Sequence, residues 1–306
     1  MKQMPVITIV GPTASGKTTR GVDLARAVGG EIISGDSRQV YRGMDIGTGK
    51  DLNEYGEVPY HLIDIVPAGY KYNLYEYVRD ARIAMEDIYK RGKVPVIVGG
   101  TGLYIETLLK GLNLPDVPEN KELRLSLESK SLDELTQMLS EMKTLHNTTD
   151  VDTKKRAIRA LEIEYFYREN PALAPTTTNA NPVNSIIVHV DIDRDSRRQR
   201  ISRRLRARLE EGMVEEVKGL LESGITADDL MYYGLEYKYV TSYLIGRLSY
   251  DEMVSGLEIA IHQFAKRQET WFRGMERRGF TLHHLSYNLS PDEFNSRVLA
   301  VAEGKF

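Results

Sequence analysis

The chain has 306 residues, 41% of them hydrophobic and 28% charged, with a formal net charge of -3. That apolar content supports a sizeable core, in one large domain or one domain carrying a smaller insertion. The near-neutral balance excludes a globally basic binder, so any nucleic-acid surface has to come from local clusters of Lys and Arg. Cysteine is absent, which excludes a disulfide framework, a thiolate metal site and a Cys nucleophile; this suits a reducing compartment, and the cytoplasm is the expected location.

Residues 1–5 lead into an apolar strand without the basic, apolar and small-residue succession of an export signal, so no export is expected. No run approaches the ~20 apolar residues of a bilayer span, and no membrane partner is expected. Val6–Val10 is a β-branched run ending at Gly11, and Lys17–Ala27 has helical spacing of Val22, Leu24 and Ala25, giving strand, glycine loop, helix. Glu31–Ser34 reads as a second strand, Tyr75–Tyr89 as a helix, and Val94–Val98 as a fully apolar strand closed by Gly99 and Gly100. Continuous apolar strands between helices indicate a parallel sheet covered on both faces.

From about Leu114 to Pro182 the character changes to a charged helical stretch at Leu123–Met142, another at Lys154–Tyr167, and a polar linker at Thr176–Asn181. Ser185–Asp191 restores an apolar strand, and beyond Asp195 long helices dominate, the clearest at Tyr250–Arg273. The pattern predicts an α/β fold. Residues 1–115 and 183–306 form a P-loop NTPase-like parallel sheet flanked by helices, and residues 116–182 form a small helical insertion domain. No internal repeat marks a solenoid.

Gly11, Pro12, Thr13, Ala14, Ser15, Gly16, Lys17 and Thr18 match G-x-x-x-x-G-K-[ST] between a strand and a helix, where this motif belongs. Backbone N–H groups and the positive helix end face a phosphate, Lys17 adds a point charge, and Thr18 can ligate Mg²⁺. A diphosphate or triphosphate ligand is expected. Nucleotide hydrolases, small-molecule kinases and diphosphate-cleaving transferases could all use such a loop. Asp36 follows the second strand, at the end where ligands of parallel sheets bind; an Asp there also caps turns, and local sequence leaves both roles open.

The run from Asp36 through Ser37, Arg38, Gln39, Val40 and Tyr41 to Lys50 resembles the signature of the tRNA dimethylallyltransferases. His61–Asp64, Gly99–Tyr104, Arg156–Glu162 and Ala265–Arg273 resemble that family's later motifs in the correct order. The resemblance implies transfer of a dimethylallyl group from dimethylallyl diphosphate to the N6 amine of the adenosine 3′ to the anticodon, with Mg²⁺. It implies Asp36 as general base, Thr101 lining the reaction channel, Arg204 on the diphosphate, Asp36 to Gln39 on the tRNA, and a second tRNA-binding run of Lys155, Arg156, Ala157, Ile158 and Arg159. The expected partners are dimethylallyl diphosphate and the tRNA anticodon stem-loop, met by a monomer. A stacked base cannot reach a buried carboxylate, so the adenine is expected to be extruded into a channel meeting the prenyl site from the other side.

Eight arginines lie between Arg194 and Arg208, and Arg200, Arg204 and Arg208 share one helical face. Periodicity supports a basic face only; solvation and pairing to Glu210 or Glu211 suffice for the others. Lys266, Arg267 and Arg273 interleave with Trp271 and Phe272, which read more simply as core packing than as base stacking. Thr101 also suits the N-cap of a helix starting at Leu103. The chain departs from the family pattern at Tyr60 before His61, at Lys155 where an Arg is common, at His146–Asp150, and at Glu236, which stands where Gly precedes Tyr-Lys. Two rivals remain: an adenylate isopentenyltransferase acting on free nucleotides, and a P-loop small-molecule kinase in which Asp36 deprotonates a hydroxyl.

Overall fold

The computed structural model describes residues 5–112, 114–145, 151–174 and 181–303. The chain opens with β1 (Val6–Val10), α1 (Lys17–Val28), β2 (Glu31–Ser34), the two-residue strands β3 (Tyr41–Arg42), β4 (Tyr60–His61) and β5 (Val66–Pro67), then α2 (Leu74–Lys90), β6 (Pro95–Gly99) and α3 (Gly102–Lys110). Three helices follow, α4 (Lys121–Glu128), α5 (Leu132–Met142) and α6 (Lys154–Glu169). The chain then runs through β7 (Ser185–Asp191), α7 (Arg194–Glu210), α8 (Met213–Glu222), α9 (Ala227–Tyr232), α10 (Leu235–Leu244), α11 (Tyr250–Arg277), β8 (Leu282–Ser286) and α12 (Pro291–Glu303).

By its contacts the chain divides into two compact units, Met1–Gly111 with Pro182–Phe306, and Leu112–Asn181. The large unit is an α/β layer structure around a parallel sheet of order β4-β2-β6-β1-β7-β8. β1 is central and buried along its whole length: Ile7 and Ile9 pack with Leu24 of α1 and Phe294 of α12, with Val96 and Val188 beside them, while on the other face the Thr8 hydroxyl lies 2.7 Å from that of Ser185. Each such apolar side chain contributes about 1.5–3 kcal/mol by leaving water. The loops after β1, β2 and β6, three adjacent strands, therefore open at one sheet end.

The small unit packs Leu127, Leu135, Leu139, Ala157, Ile158 and Leu161 into a core of its own. The helical stretch expected at Leu123–Met142 holds two helices, since Ser131 starts a new one: its Oγ accepts from Glu134 N at 3.2 Å while Glu134 Oε2 accepts from Ser131 N at 2.7 Å. Glu162 organises α6 and its surroundings, accepting from Asn120 N at 2.5 Å, from Arg124 at 2.8 and 2.9 Å, and from Arg159. The expected linker lies mostly at residues 175–180, outside the described residues. Among the described residues no helix is long and apolar enough to cross a membrane.

Candidate active site

The Gly11–Thr18 loop leaves β1 and enters α1 at Lys17. Gly16 has φ 85°, and Ala14, without a glycine's freedom, has φ 63°. Such left-handed turns in a loop aim successive N–H groups to one side, the arrangement that receives anions. The Ser15 hydroxyl is buried without a hydrogen-bond partner, a cost borne most simply by a site awaiting a polar ligand. Lys17 Nζ donates to Pro12 O at 3.3 Å, and Arg204 Nη2 donates to Thr13 Oγ1.

A second wall comes from the turn after β2. Asp36 Oδ1 accepts from Arg38 N at 2.9 Å, so one carboxylate oxygen organises the turn; among the described residues Oδ2 has no hydrogen bond. The capping role left open by the sequence is therefore filled by Oδ1, and the chemical role would fall to Oδ2. Ser37 N donates to Thr101 Oγ1 at 3.1 Å, and Thr101 N donates to Gly35 O at 3.2 Å. Thr101 precedes α3, which begins at Gly102, but its side chain makes no cap bond and fastens the β2 turn instead. Gly99 permits this approach, since a Cβ there would meet the Gly35 carbonyl at 2.3 Å.

The arginine face of α7 is directed at these loops. Arg200 lies over the Tyr287 ring at 5.5 Å, Arg204 reaches the phosphate loop, and buried Arg208 approaches Asp51 at 3.4 Å. Arg197 pairs with Glu269 at 3.2 Å, while Arg198, Arg203 and Arg206 are exposed. Thr13, Lys17, Thr18, Asp36, Gln39, Asp51 and Arg204 line one small cavity of about 70 Å³. Burial pushes the Lys17 ammonium down to about 8, opposed by Asp36 and assisted by Arg204 and Arg208. Burial, then Arg208, pushes the Arg204 guanidinium down to about 10. Glu236 is raised by burial, with Arg208 and Arg204 opposing, so the departure there adds a carboxyl group to the field of the site's arginines.

Some expected contact residues face inward. Gln39 is buried; its Oε1 accepts from Ser34 Oγ at 2.8 Å and its Nε2 donates to Gly49 O at 3.1 Å, so its amide is engaged within the fold. Arg38 stacks on Tyr232 at 5.2 Å. In the small unit Lys155 and Arg156 are exposed, Arg156 paired to Asp152. Ala157 and Ile158, expected on the tRNA, are core residues whose side chains are closed to a partner. Arg159 donates to Glu162 and to Val117 O at 2.9 Å. Phe272 is buried, edge-on to His189 at 5.5 Å, and half-buried Trp271 lies under Arg278. His146–Asp150 lies outside the described residues.

Two supporting residues went unnoticed in the sequence. Buried Gln268 of α11 accepts from Thr13 N at 2.8 Å and donates to Gly100 O at 2.9 Å, clamping the phosphate loop to the turn after β6. Glu216 of α8 accepts from Asp45 N at 2.8 Å, Ile46 N at 2.7 Å, Gly47 N at 3.0 Å and Tyr237 OH at 2.6 Å. It thereby fixes a loop whose Lys50 is fully buried among Tyr41 O, Asp45 and Asp64. Gln268 falls within the Ala265–Arg273 motif, the one sequence signal for it; nothing local marks Glu216.

A family model described as IPP transferase matches residues 39–275, and one described as isopentenyl transferase matches residues 4–57. A protein named tRNA dimethylallyltransferase 2 from Bacteroides fragilis is 59% identical over 96% of each chain. One from Phocaeicola vulgatus, of the same name, is 55% identical over 100% of each. The crystal structure of a tRNA isopentenylpyrophosphate transferase from Bacillus halodurans is 33% identical with a TM-score of 0.70, covering 98% of this chain and 95% of that one.

Proposed function

The chain belongs to the IPP transferase family, and on that premise we propose that it transfers a dimethylallyl group from dimethylallyl diphosphate to N6 of the adenosine 3′ to the anticodon in tRNA. The observation that carries the chemistry is the single cavity shared by Asp36, Lys17, Thr13, Thr18 and Arg204, an acceptor for protons among holders of an anion. In this reading the adenine amine, whose lone pair is delocalised into the ring, attacks the dimethylallyl carbon. Its proton passes to Asp36 as the C–N bond forms. The breaking C–O bond leaves its electron pair on diphosphate, and Lys17, Arg204 and the loop amides meet that charge. Gln268 and Thr101 are positioning residues that hold the anion loop and the base turn.

Magnesium fits the donor set: Thr18 offers a hydroxyl, and Asp36 and Asp51 line the same cavity with hard carboxylate oxygens. When bound it would supply positive charge for the leaving diphosphate. Lys155 and Arg156 are proposed to contact tRNA phosphates, giving position rather than sequence readout. A monomer working in the cytoplasm, with an extruded base entering a channel towards Asp36, completes the proposal. Transfer to free nucleotides and phosphoryl transfer are not favoured, since relatives matching nearly the whole chain carry names specifying tRNA.

The test is mass analysis of nucleosides after incubation of an unmodified anticodon stem-loop, and separately AMP, with dimethylallyl diphosphate and Mg²⁺. N6-prenyladenosine is expected from the stem-loop, with kcat lowered about 10²–10⁴-fold in Asp36→Asn. Product from AMP alone would overturn the acceptor assignment, and full activity in Asp36→Asn would overturn the base.

A further inference from the structure

Outside the candidate active site, β7 and β8 carry a second cluster of titratable groups. His189 and His284 stand opposite each other in the parallel register. Asp191 Oδ1 lies 2.6 Å from His189 Nδ1 and 2.8 Å from His284 Nδ1. One ligand atom from each of the three residues can be chosen so that all lie within 4.8 Å of one another, the one such group of His, Asp or Glu among the described residues. We propose that these three residues form a site for a borderline transition-metal dication, with zinc as the reference ion.

Three observations carry the proposal. The donor set of two imidazoles and one carboxylate selects zinc-like ions over magnesium or calcium, which prefer oxygen throughout. Tetrahedral zinc at ~2.0–2.1 Å keeps its ligand atoms roughly 3.3 Å apart, so each Nδ1 needs to open from Asp191 Oδ1 by well under an ångström. The outer partners that orient metal-bound histidines are already present: His284 Nε2 lies 3.0 Å from Glu276 Oε1, and His189 Nε2 lies 3.6 Å from Glu269 Oε2. His189 Nε2 is also buried without a hydrogen-bond partner, and its residue is 3% exposed. A Glu269 carboxylate drawn in by a metal-polarised imidazole N–H would satisfy it.

The three residues border a cavity of about 340 Å³, and the Asp191 and His284 side chains are 47% and 42% exposed, which gives an ion its way in. The positive groups at the rim do not close it. Arg197 is paired with Glu269, and Lys266 and Arg273 are exposed and screened by water. Such an ion would tie β8 to β7, with Glu276 and Glu269 of α11 as its outer supports.

The experiment is calorimetric titration of the chelator-stripped full chain with zinc chloride, in excess Mg²⁺ to occupy hard oxygen sites, repeated with cobalt chloride, whose visible spectrum reports nitrogen ligation. One equivalent per chain is expected. His284→Gln and Asp191→Asn, both at exposed positions that leave the core filled, should each weaken binding at least ~10-fold, and Glu276→Gln about 10-fold. Prenyl transfer should be unaffected in all three. Absence of zinc binding, or unchanged affinity in both His284→Gln and Asp191→Asn, overturns the site.

Discussion

Glu216→Gln isolates the support of the loop beneath the candidate site. The carboxylate receives four donors, two on each oxygen. The amide keeps one acceptor oxygen, which can still serve Asp45 N and Ile46 N. Its NH₂ must then face Gly47 N–H and the Tyr237 hydroxyl. Tyr237 can turn its hydroxyl to accept, but Gly47 N–H is left unpaired, a loss of about 1–3 kcal/mol. The two surviving bonds lose charge assistance worth roughly 1 kcal/mol each. Because Glu216 is half-buried, water returns part of this, and the expected destabilisation is about 2–4 kcal/mol. Trp271, the sole tryptophan, reports unfolding of the large unit in urea. The midpoint should fall with an unchanged slope. Gly49 of the same loop anchors Gln39, and Asp51 just beyond it faces Arg208, so kcat should fall alongside stability. A midpoint shift equivalent to under about 0.5 kcal/mol, with wild-type kinetics, would refute the reasoning.

Gln268→Ala should leave Thr13 N–H and Gly100 C=O without their clamp and cost about 2–4 kcal/mol; a raised KM for dimethylallyl diphosphate, read by steady-state kinetics, is the accompanying sign. Lys17, pushed down to about 8, loses its charge above that pH in the free protein, so kcat/KM for the diphosphate should fall up to tenfold per unit beyond it. The stability term has the opposite sign. Because the folded value lies below the unfolded one, the penalty of holding Lys17 charged is relieved as pH rises between about 8 and the ordinary lysine value of 10.5. A kcat/KM that stays flat through this range would exclude Lys17 as the anion's charge partner. Glu162→Ala removes the carboxylate shared by Asn120 N, Arg124 and Arg159, leaving Arg124 to Glu119 and Arg159 to Val117 O, and should cost the small unit about 1–3 kcal/mol, seen as faster amide exchange in α5 and α6. In the wild type, burial raises the Glu162 value, but hydrogen bonds from Arg124 and Arg159 outweigh it and hold it below the usual carboxylate range. That stabilisation should fade as pH falls through the folded value, measurable by acid titration of the same amides.

What was legible in the sequence was local. The phosphate loop is eight contiguous residues whose role follows from backbone geometry, and β1, β7 and α11 announce themselves by apolar period. Ser131 and Glu134 form a capping box inside the Leu123–Met142 helical stretch, and that box divides it. The inward turn of Gln39 and Ile158 is not legible for a different reason: a motif marks which residues belong together, not which way each side chain turns. Glu216 and Gln268 gain their meaning from loops that lie 171 and 255 residues away along the chain, and no local pattern encodes such an approach. His189 and His284 meet only because β7 and β8 pair in one register.

The central position of β1 has a consequence for how the protein is made. Among the described residues it precedes the other strands of its sheet along the chain, yet one flank pairs with β6 and the other with β7, which begins at Ser185. At roughly 5–20 residues per second, the stretch between those partners keeps the nascent sheet half-finished for on the order of ten seconds. During that interval the small helical unit can form its own core, while β1, apolar but for Thr8, presents an unpaired edge of the kind that aggregates. Nascent chains halted before Ser185 should therefore depend on chaperones, and release of that dependence should coincide with the emergence of β7.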